Sequence, residues 1–507
     1  MAALVISSCG GSGDTPDEPE EKAPTSMTVT PASYTAEQSG GSFTISVTAP
    51  ARPTAVSDQS WVTVTDGTYS NYSISYPVSV ATNETYEERS ATITVKSGSF
   101  TQTVTVNQAA KEKEPDPGDD PPTPDDNAAW TMAKKLGLGW NMGNQLEAND
   151  NGVADETCWG NPKATQATFN GVKAKSFKTV RIPVTWSGHI GDAPDYTIET
   201  AWMDRVYEVV GYAESAGLNV IINMHHDGAD DKYWLNLKNA VASSAVNTQI
   251  KAEIKAVWTQ IANKFKEKGD FLIMESFNEI HDGGWGWSTS YQTAAGKAAQ
   301  NKILNEWNQV FVDAVRATGG NNSTRWLGVP GYAADPGFTL NDGFTLPSDI
   351  AGKVMVAFHD YTPYKFCQTG EDNEWGHTRK TNLNDSAYGE DYMKSTFAQF
   401  YSKYVEKGVP VYVGEFGCAN RSNATARKFQ LYWLEYFSKC AVTYGMSGFI
   451  WDNGARGSGS ETYGIIDHGT GEYLDSSYGP QIVKACTDGF YTESAAYTLE
   501  TVYNSAP

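Results

Sequence analysis

Two periods of apolar residues divide the chain. From about Ala23 to Ala109, apolar and small polar side chains alternate, as in Met27-Thr28-Val29-Thr30, Ser42-Phe43-Thr44-Ile45-Ser46-Val47, Trp61-Val62-Thr63-Val64-Thr65 and Ala91-Thr92-Ile93-Thr94-Val95. Alternation sends one side chain into a core and the next into water, so each stretch predicts a half-buried β-strand. The last of these meets a second alternating run, 100–106, across Ser97-Gly98-Ser99, which reads as a hairpin. Residues 23–110 therefore predict a small all-β sandwich. From about Trp130 the pattern changes to short apolar runs at 136–143, 180–184, 220–225, 272–279, 326–331, 354–361, 409–416 and 448–453. Amphipathic stretches such as 202–216, 250–268, 301–317, 393–406 and 426–444 lie between them. Strands separated by helices over 129–492 predict an α/β fold, a (β/α)8 barrel. A doubly wound sheet alternates in the same way but more often carries a Gly-rich phosphate loop after an early strand, and none occurs here.

Between the two patterns lies KEKEPDPGDDPPTPDDNA, residues 111–128, where fixed proline torsions and like charges predict an extended, semi-rigid linker. Residues 493–507 remain as a C-terminal tail. Residues 1–22 read as a truncated signal and tether. The run Leu4-Val5-Ile6 before Ser7, Ser8 and Cys9 resembles the lipobox of a bacterial lipoprotein, in which the cysteine is lipidated. That resemblance implies an exported protein at the cell surface or in the periplasm, touching membrane only through an acyl anchor at Cys9.

Charge narrows the function. With 38 basic and 60 acidic residues the chain carries −22, which argues against nucleic acid, whose binding needs Lys and Arg to neutralise phosphates. No apolar run approaches the roughly 18 residues of a spanning helix. The cysteines after Cys9 are Cys158, Cys367, Cys418, Cys440 and Cys486, with no metal-site spacing. Buried free thiols are the default, and sequence cannot choose a disulfide pair among them.

In a barrel of this kind the reacting groups sit at the C-terminal ends of the strands. Here those ends carry Arg181, His225-His226-Asp227, Asn278-Glu279, His359-Asp360-Tyr361, Glu415 and Trp451-Asp452-Asn453. Strands four and seven lie across the ring from each other, so Glu279 and Glu415 should face each other at the mouth. Two carboxyls about 5–5.5 Å apart suit retaining glycoside hydrolysis. A single glutamate would read as an ion-pair partner of Arg181; two in this arrangement read as acid/base and nucleophile. His225 and His226 are adjacent, and neighbours on a strand point to opposite faces, so they do not suggest a metal pair. Glu275, four residues before Glu279, is expected one layer deeper and paired with Arg181 or a hydroxyl. Trp159, Trp186, Trp285, Trp287 and Trp375 could each stack on a sugar, but strand and helix tryptophans are more often core.

The pieces LGLGWNMGNQLEA (which contains Asn141), CWGNP, VRIPVTW, INMHHDG, ESFNEI, FHDYTPY, VYVGEFG and FIWDNG resemble, in order, the motifs of glycoside hydrolase family 5. The front domain, through SWVTV and TVTVNQAA, resembles a BACON module, which implies an immunoglobulin-like sandwich and, by its name, carbohydrate binding; a stalk is the plainer reading. The family resemblance implies that Glu279 is the acid/base and Glu415 the nucleophile. It further implies that Asn278 bonds the sugar 2-hydroxyl and that Arg181 and Tyr361 bond Glu415. His225 would hold a hydroxyl of the cleaved sugar, His359 support the acid/base and Trp451 floor the subsite, with Asn141 and His226 as further substrate-binding or supporting residues. After Glu279 this chain reads HDGGWGWS, where many members have a proline next, so Trp285 and Trp287 become candidates beyond the cleavage point. The implied activity is a retaining endo-β-1,4-glucanase acting on β-glucan as a monomer, without cofactor or metal. Xyloglucanase is the alternative, followed by lichenase and mannanase. A non-catalytic glycan-binding barrel and a Schiff-base enzyme are the competing classes, and the second would need a lysine at a strand end.

Overall fold

The computed structural model describes residues 23–85, 87–111, 127–228, 233–341, 343–381 and 385–507. Cys9 and most of the acidic linker lie outside them. The chain divides between Glu114 and Pro115 into two compact units.

The first unit is a sandwich of two four-stranded sheets. One sheet runs Thr28–Thr30, Gly41–Thr48, Ser73–Val80, Val62–Val64; the other runs Ser33–Ala36, Phe100–Gln108, Arg89–Ser97, Thr54–Ser57. Alternation does the sorting: along Ser73–Val80, every second residue (Ile74, Tyr76, Val78, Val80) is buried. The expected hairpin forms, with Ser97 opposite Phe100 and Gly98 in the left-handed region at φ 58°. Trp61, expected in mid-strand, sits one residue before Val62–Val64; it packs against the core, with the Arg89 guanidinium 4.3 Å from its ring centre.

In the second unit eight parallel strands close into a barrel. In ring order they are Leu138–Met142, Thr179–Ile182, Asn219–Ile222, Leu272–Glu275, Leu327–Pro330, Val354–Asp360, Val411–Phe416 and Ser447–Asp452, the last pairing with the first. Helices Thr200–Ser215, Ser244–Lys264, Ala294–Ala317, Glu390–Lys403 and Ala424–Thr443 follow the second, third, fourth, sixth and seventh strands. Their apolar stripe has the helical period: Ile250, Ile254, Val257, Trp258 and Ile261 are the buried side of Ser244–Lys264. That helix begins six residues before the expected 250 because its start is set by a cap, Ser243 accepting from the Val246 N–H, and not by the apolar stripe. Among the described residues no helix is long and apolar enough to cross a membrane. Residues 493–507, expected as a tail, include the helix Leu499–Tyr503, whose Leu499 and Val502 are buried.

The barrel interior is layered. Met132 and Leu136, from the helix Ala128–Leu136, join Ile221, Ile273, Met355, Ala357, Tyr412 and Phe449 in one apolar cluster at the base. Two glycines make room for it. A Cβ on Gly139 would sit 1.8 Å from the Phe449 ring, and one on Gly328 would sit 2.1 Å from the Tyr412 hydroxyl. Above this apolar floor the lining turns polar, and the site begins.

Candidate active site

A buried cation anchors the site. Arg181 has no exposed surface; its Nε and Nη2 reach the Glu275 carboxylate, at 2.6 Å for the shortest contact, and its Nη1 donates to Glu415 Oε1 at 2.8 Å. Nη1 also donates to Asn141 Oδ1 at 3.0 Å and Nη2 to Asn278 Oδ1 at 2.9 Å. Burial alone would penalise each charge. Glu275 nevertheless stays below its ordinary pKa, because burial is outweighed by Arg181 and by the Tyr412 hydroxyl, which donates to it at 2.6 Å. Glu275 is thus one layer deeper than Glu279 and paired with Arg181, as expected.

The two candidate carboxyls converge above this layer. Glu279, His359 and Glu415 bring donor atoms within 4.8 Å of one another. His359 Nδ1 lies 2.7 Å from Glu279 Oε1 and 3.7 Å from Glu415 Oε2. Tyr361 donates its hydroxyl to Glu415 Oε2 at 3.0 Å. His359 and Tyr361 therefore reach the same side of the strand end, as their spacing of two requires. Three metal-type donors meet here, but Arg181 already holds Glu415 and His359 holds Glu279. The arrangement is one of proton placement.

Burial pushes Glu279 up to about 8. Glu415 is raised as well, by burial, but His359 and Arg181 pull against it. Arg181 and Tyr361 both bond Glu415, as the resemblance implies, yet burial outweighs the pull of the cation and leaves the carboxyl above its ordinary value. Of the two glutamates only Glu415 touches a cation, so the charge settles there and the proton on Glu279. Burial drives His359 down to about 4, so its imidazole is neutral near pH 7. Backbone irregularities aim these groups. The ladder between strands six and seven shifts register at Phe358/His359, and that between seven and eight shifts between Val413 and Phe416.

On one side of the pair, the rings of His225 and Trp451 lie parallel, 6.0 Å apart. His226 does not point to the opposite face from His225. The strand ends at Ile222, so strand alternation no longer applies, and the two rings meet edge-on at 4.5 Å. Trp159, 43% exposed, stands beside His226 at 5.6 Å. On the other side, Glu279, Trp285, Trp287, Asp335, His359, Tyr361 and Tyr364 are among the residues lining a cleft of about 680 Å³. Trp285 and Trp287 are 51% and 84% exposed, whereas Trp186 and Trp375 are fully buried core. Asn278 is buried beside Glu279, and Asn141 donates to the carbonyls of Gly414 and Phe449, tying strands one, seven and eight together. The five described cysteines are free thiols. Cys158 is exposed, against the buried default, and Cys367 and Cys418 bring their sulfurs to 3.6 Å.

Several groups escaped the sequence. Tyr412, inside VYVGEFG, and Asn223, inside INMHHDG, both bond Glu275, the latter at 2.9 Å. Glu147, in the loop after strand one, is fully buried with its carboxylate on the Asn144 and Gln145 N–H groups, and burial pushes it up to about 8. The motif pieces contained all three, but nothing in their spacing marked them out. Tyr364 closes the piece FHDYTPY, again with nothing in its spacing to mark it, and Asp335 comes from a loop outside the motif pieces.

Comparison with known proteins agrees with the geometry. The family model "Cellulase (glycosyl hydrolase family 5)" matches residues 145–457, and the BACON model, "Putative binding domain, N-terminal", matches 51–109. An endoglucanase A from Paenibacillus barcinonensis is 38% identical over 344 residues, 64% of this chain and 82% of its own length. A GH5-4 broad specificity endoglucanase from Bacteroides salanitronis is 48% identical, with TM-score 0.69, covering 73% of this chain and 96% of the other. A family 5 xyloglucanase from Paenibacillus pabuli is 37% identical, with TM-score 0.64, covering 71% and 99%. The chain belongs to glycosyl hydrolase family 5 and is a glycoside hydrolase of its cellulase and endoglucanase kind, carried behind a BACON domain.

Proposed function

We propose that the protein is a retaining endo-β-1,4-glucanase that cleaves β-glucan by double displacement. The observation that carries this reading is the convergence of Glu279 and Glu415 within 4.8 Å, with a cation on Glu415 alone. That separation suits a retaining pair at about 5–5.5 Å and leaves too little room for the water of an inverting pair at about 6.5–9.5 Å. Glu415 attacks the anomeric carbon while Glu279 gives its proton to the departing glycosidic oxygen, so the C–O bond breaks without an alkoxide leaving. Glu279, now anionic, takes a proton from water as that water attacks the glycosyl ester, releasing sugar and restoring both groups. Asn278 bonds the sugar 2-hydroxyl and His225 another hydroxyl, Trp451 forms the floor, and His359 and Tyr361 orient the two carboxyls. Trp285 and Trp287 receive the sugars beyond the cleavage point.

Xyloglucan is the second substrate reading, favoured by the similarity to the P. pabuli xyloglucanase. Reducing-sugar release from undecorated β-glucan, xyloglucan and mannan, by wild type and by Glu415→Gln, tests both. The proposal requires release from glucan that the variant lacks. The sandwich serves as a stalk, a role supported by Trp61 lying under Arg89 and not standing free for a sugar. Export as a monomer held by a lipid at Cys9 suits a polymeric extracellular substrate, and palmitate labelling lost in Cys9→Ala checks the anchor.

A further inference from the structure

The loop that carries the two exposed tryptophans is built around one carboxylate. Asp282 lies three residues after Glu279, and its Oδ2 accepts from Ser288 Oγ at 2.5 Å, Ser290 Oγ at 2.6 Å and Gln300 Nε2 at 2.9 Å. Its Oδ1 accepts from the Tyr332 hydroxyl at 3.0 Å and the Gly284 N–H at 3.1 Å. Five donors occupy a group with about four lone-pair sites, and they hold it far below the ordinary carboxylate range despite partial burial. The segment it gathers, residues 282–290, contains Trp285 and Trp287. Its backbone could not take this path freely: Gly283 and Gly286 have φ 89° and 82°, and Trp285 itself has φ 50°. A Cβ on Gly286 would fall 2.3 Å from the Phe338 ring, which fixes the turn from the other side. Trp285 packs one side of its ring on His281 at 4.0 Å and stays 51% exposed, Trp287 is 84% exposed, and exposed apolar surface rimmed by polar groups marks a binding surface.

We propose that Asp282 is the positioning residue of the leaving-group side. It touches no substrate; it fixes the loop that sets Trp285 and Trp287 where departing glucosyl units stack, so the ordering entropy of the loop is lost on folding and not on binding. This rests on the β-glucanase reading above. The chemistry on an aryl cellobioside, whose leaving group needs no sugar-binding surface, is the internal reference.

The test compares wild type, Asp282→Asn, Asp282→Ala and Trp285→Ala/Trp287→Ala on soluble β-1,4-glucan and on an aryl β-cellobioside. Thermal melting of each variant reports the fold. The expected result is a fall of roughly tenfold or more in the ratio of kcat/KM for glucan to that for the aryl cellobioside, as two lost aromatic contacts would give, carried mainly by KM. Adding Asp282→Ala to the double tryptophan variant should lower that ratio no further, since both act through the same rings. If Asp282→Asn melts like wild type and the ratio is unchanged, or if both substrates fall equally, the inference is overturned. If Asp282→Ala does not fold, the Asn variant and a Ser288→Ala/Ser290→Ala variant decide by the same ratio. Wild type inactive on every β-glucan would instead overturn the proposed function, a separate result.

Discussion

Arg181 donates to Glu415 at 2.8 Å from a position with no contact with solvent, and the same guanidinium holds Glu275 at 2.6 Å. A charge so placed is committed to its partners. Burial works against the guanidinium, but the two glutamates outweigh it and raise its pKa. Removing one member of a buried pair leaves the others uncompensated, at a cost of about 3–5 kcal/mol. Arg181→Met should therefore lower the melting temperature of the catalytic unit strongly and abolish activity. Arg181→Lys keeps the charge but loses the fork that reaches Glu275, Glu415 and Asn278 together. In that variant Glu415 should rise further, so the acid limb of the pH–rate profile moves to higher pH; an unmoved limb would show that Arg181 does not set the charge of Glu415.

Glu279 predicts a pH-dependent stability. It keeps its proton in the folded chain up to about 8, against 4.5 in the unfolded chain. Across that interval the folded state binds the extra proton, so the contribution of Glu279 to stability is largest below 4.5 and declines as pH rises towards 8. Glu279→Gln removes the titration. The variant should melt higher relative to wild type at pH 8 than at pH 4.5, in paired melting curves at the two values. The alkaline limb of wild-type activity should fall near the same pKa, since the first step needs the proton in place.

Gly414 predicts a steric effect. A Cβ there would lie 2.8 Å from His359 Nε2 and 3.0 Å from its Cδ2. Gly414→Ala should displace the ring from its seat against Glu279, at about 1–3 kcal/mol of overpacking, and lower kcat more than it raises KM. A variant with wild-type kcat would separate His359 from catalysis.

How much of this was legible follows from what fixes each residue. Strand and helix order was readable because the apolar periods differ so sharply between the two units, and the strand-end polar residues marked the mouth of the barrel. The parity of the site was not readable. Tyr412 and Glu415 are three apart, so a regular strand would send them to opposite faces, yet both reach the Glu275–Arg181 layer. The register shift between Val413 and Phe416 allows it, and such a shift depends on neighbouring strands and not on local composition. The direction of His226 was misread for a related reason, because strand three stops at Ile222. Asp282 was hidden among the glycines of a loop, since its five donors come from three separate stretches of chain, the loop itself, the helix at Gln300 and the turn at Tyr332.

The most direct test of the account is the anomeric form of the first product. Proton NMR of soluble β-1,4-glucan digested by wild type should show the β-anomer first, with the α-anomer growing in only by mutarotation, as two carboxyls within 4.8 Å require. An α-anomer formed first would mean direct inversion by water and would contradict the roles given to Glu279 and Glu415.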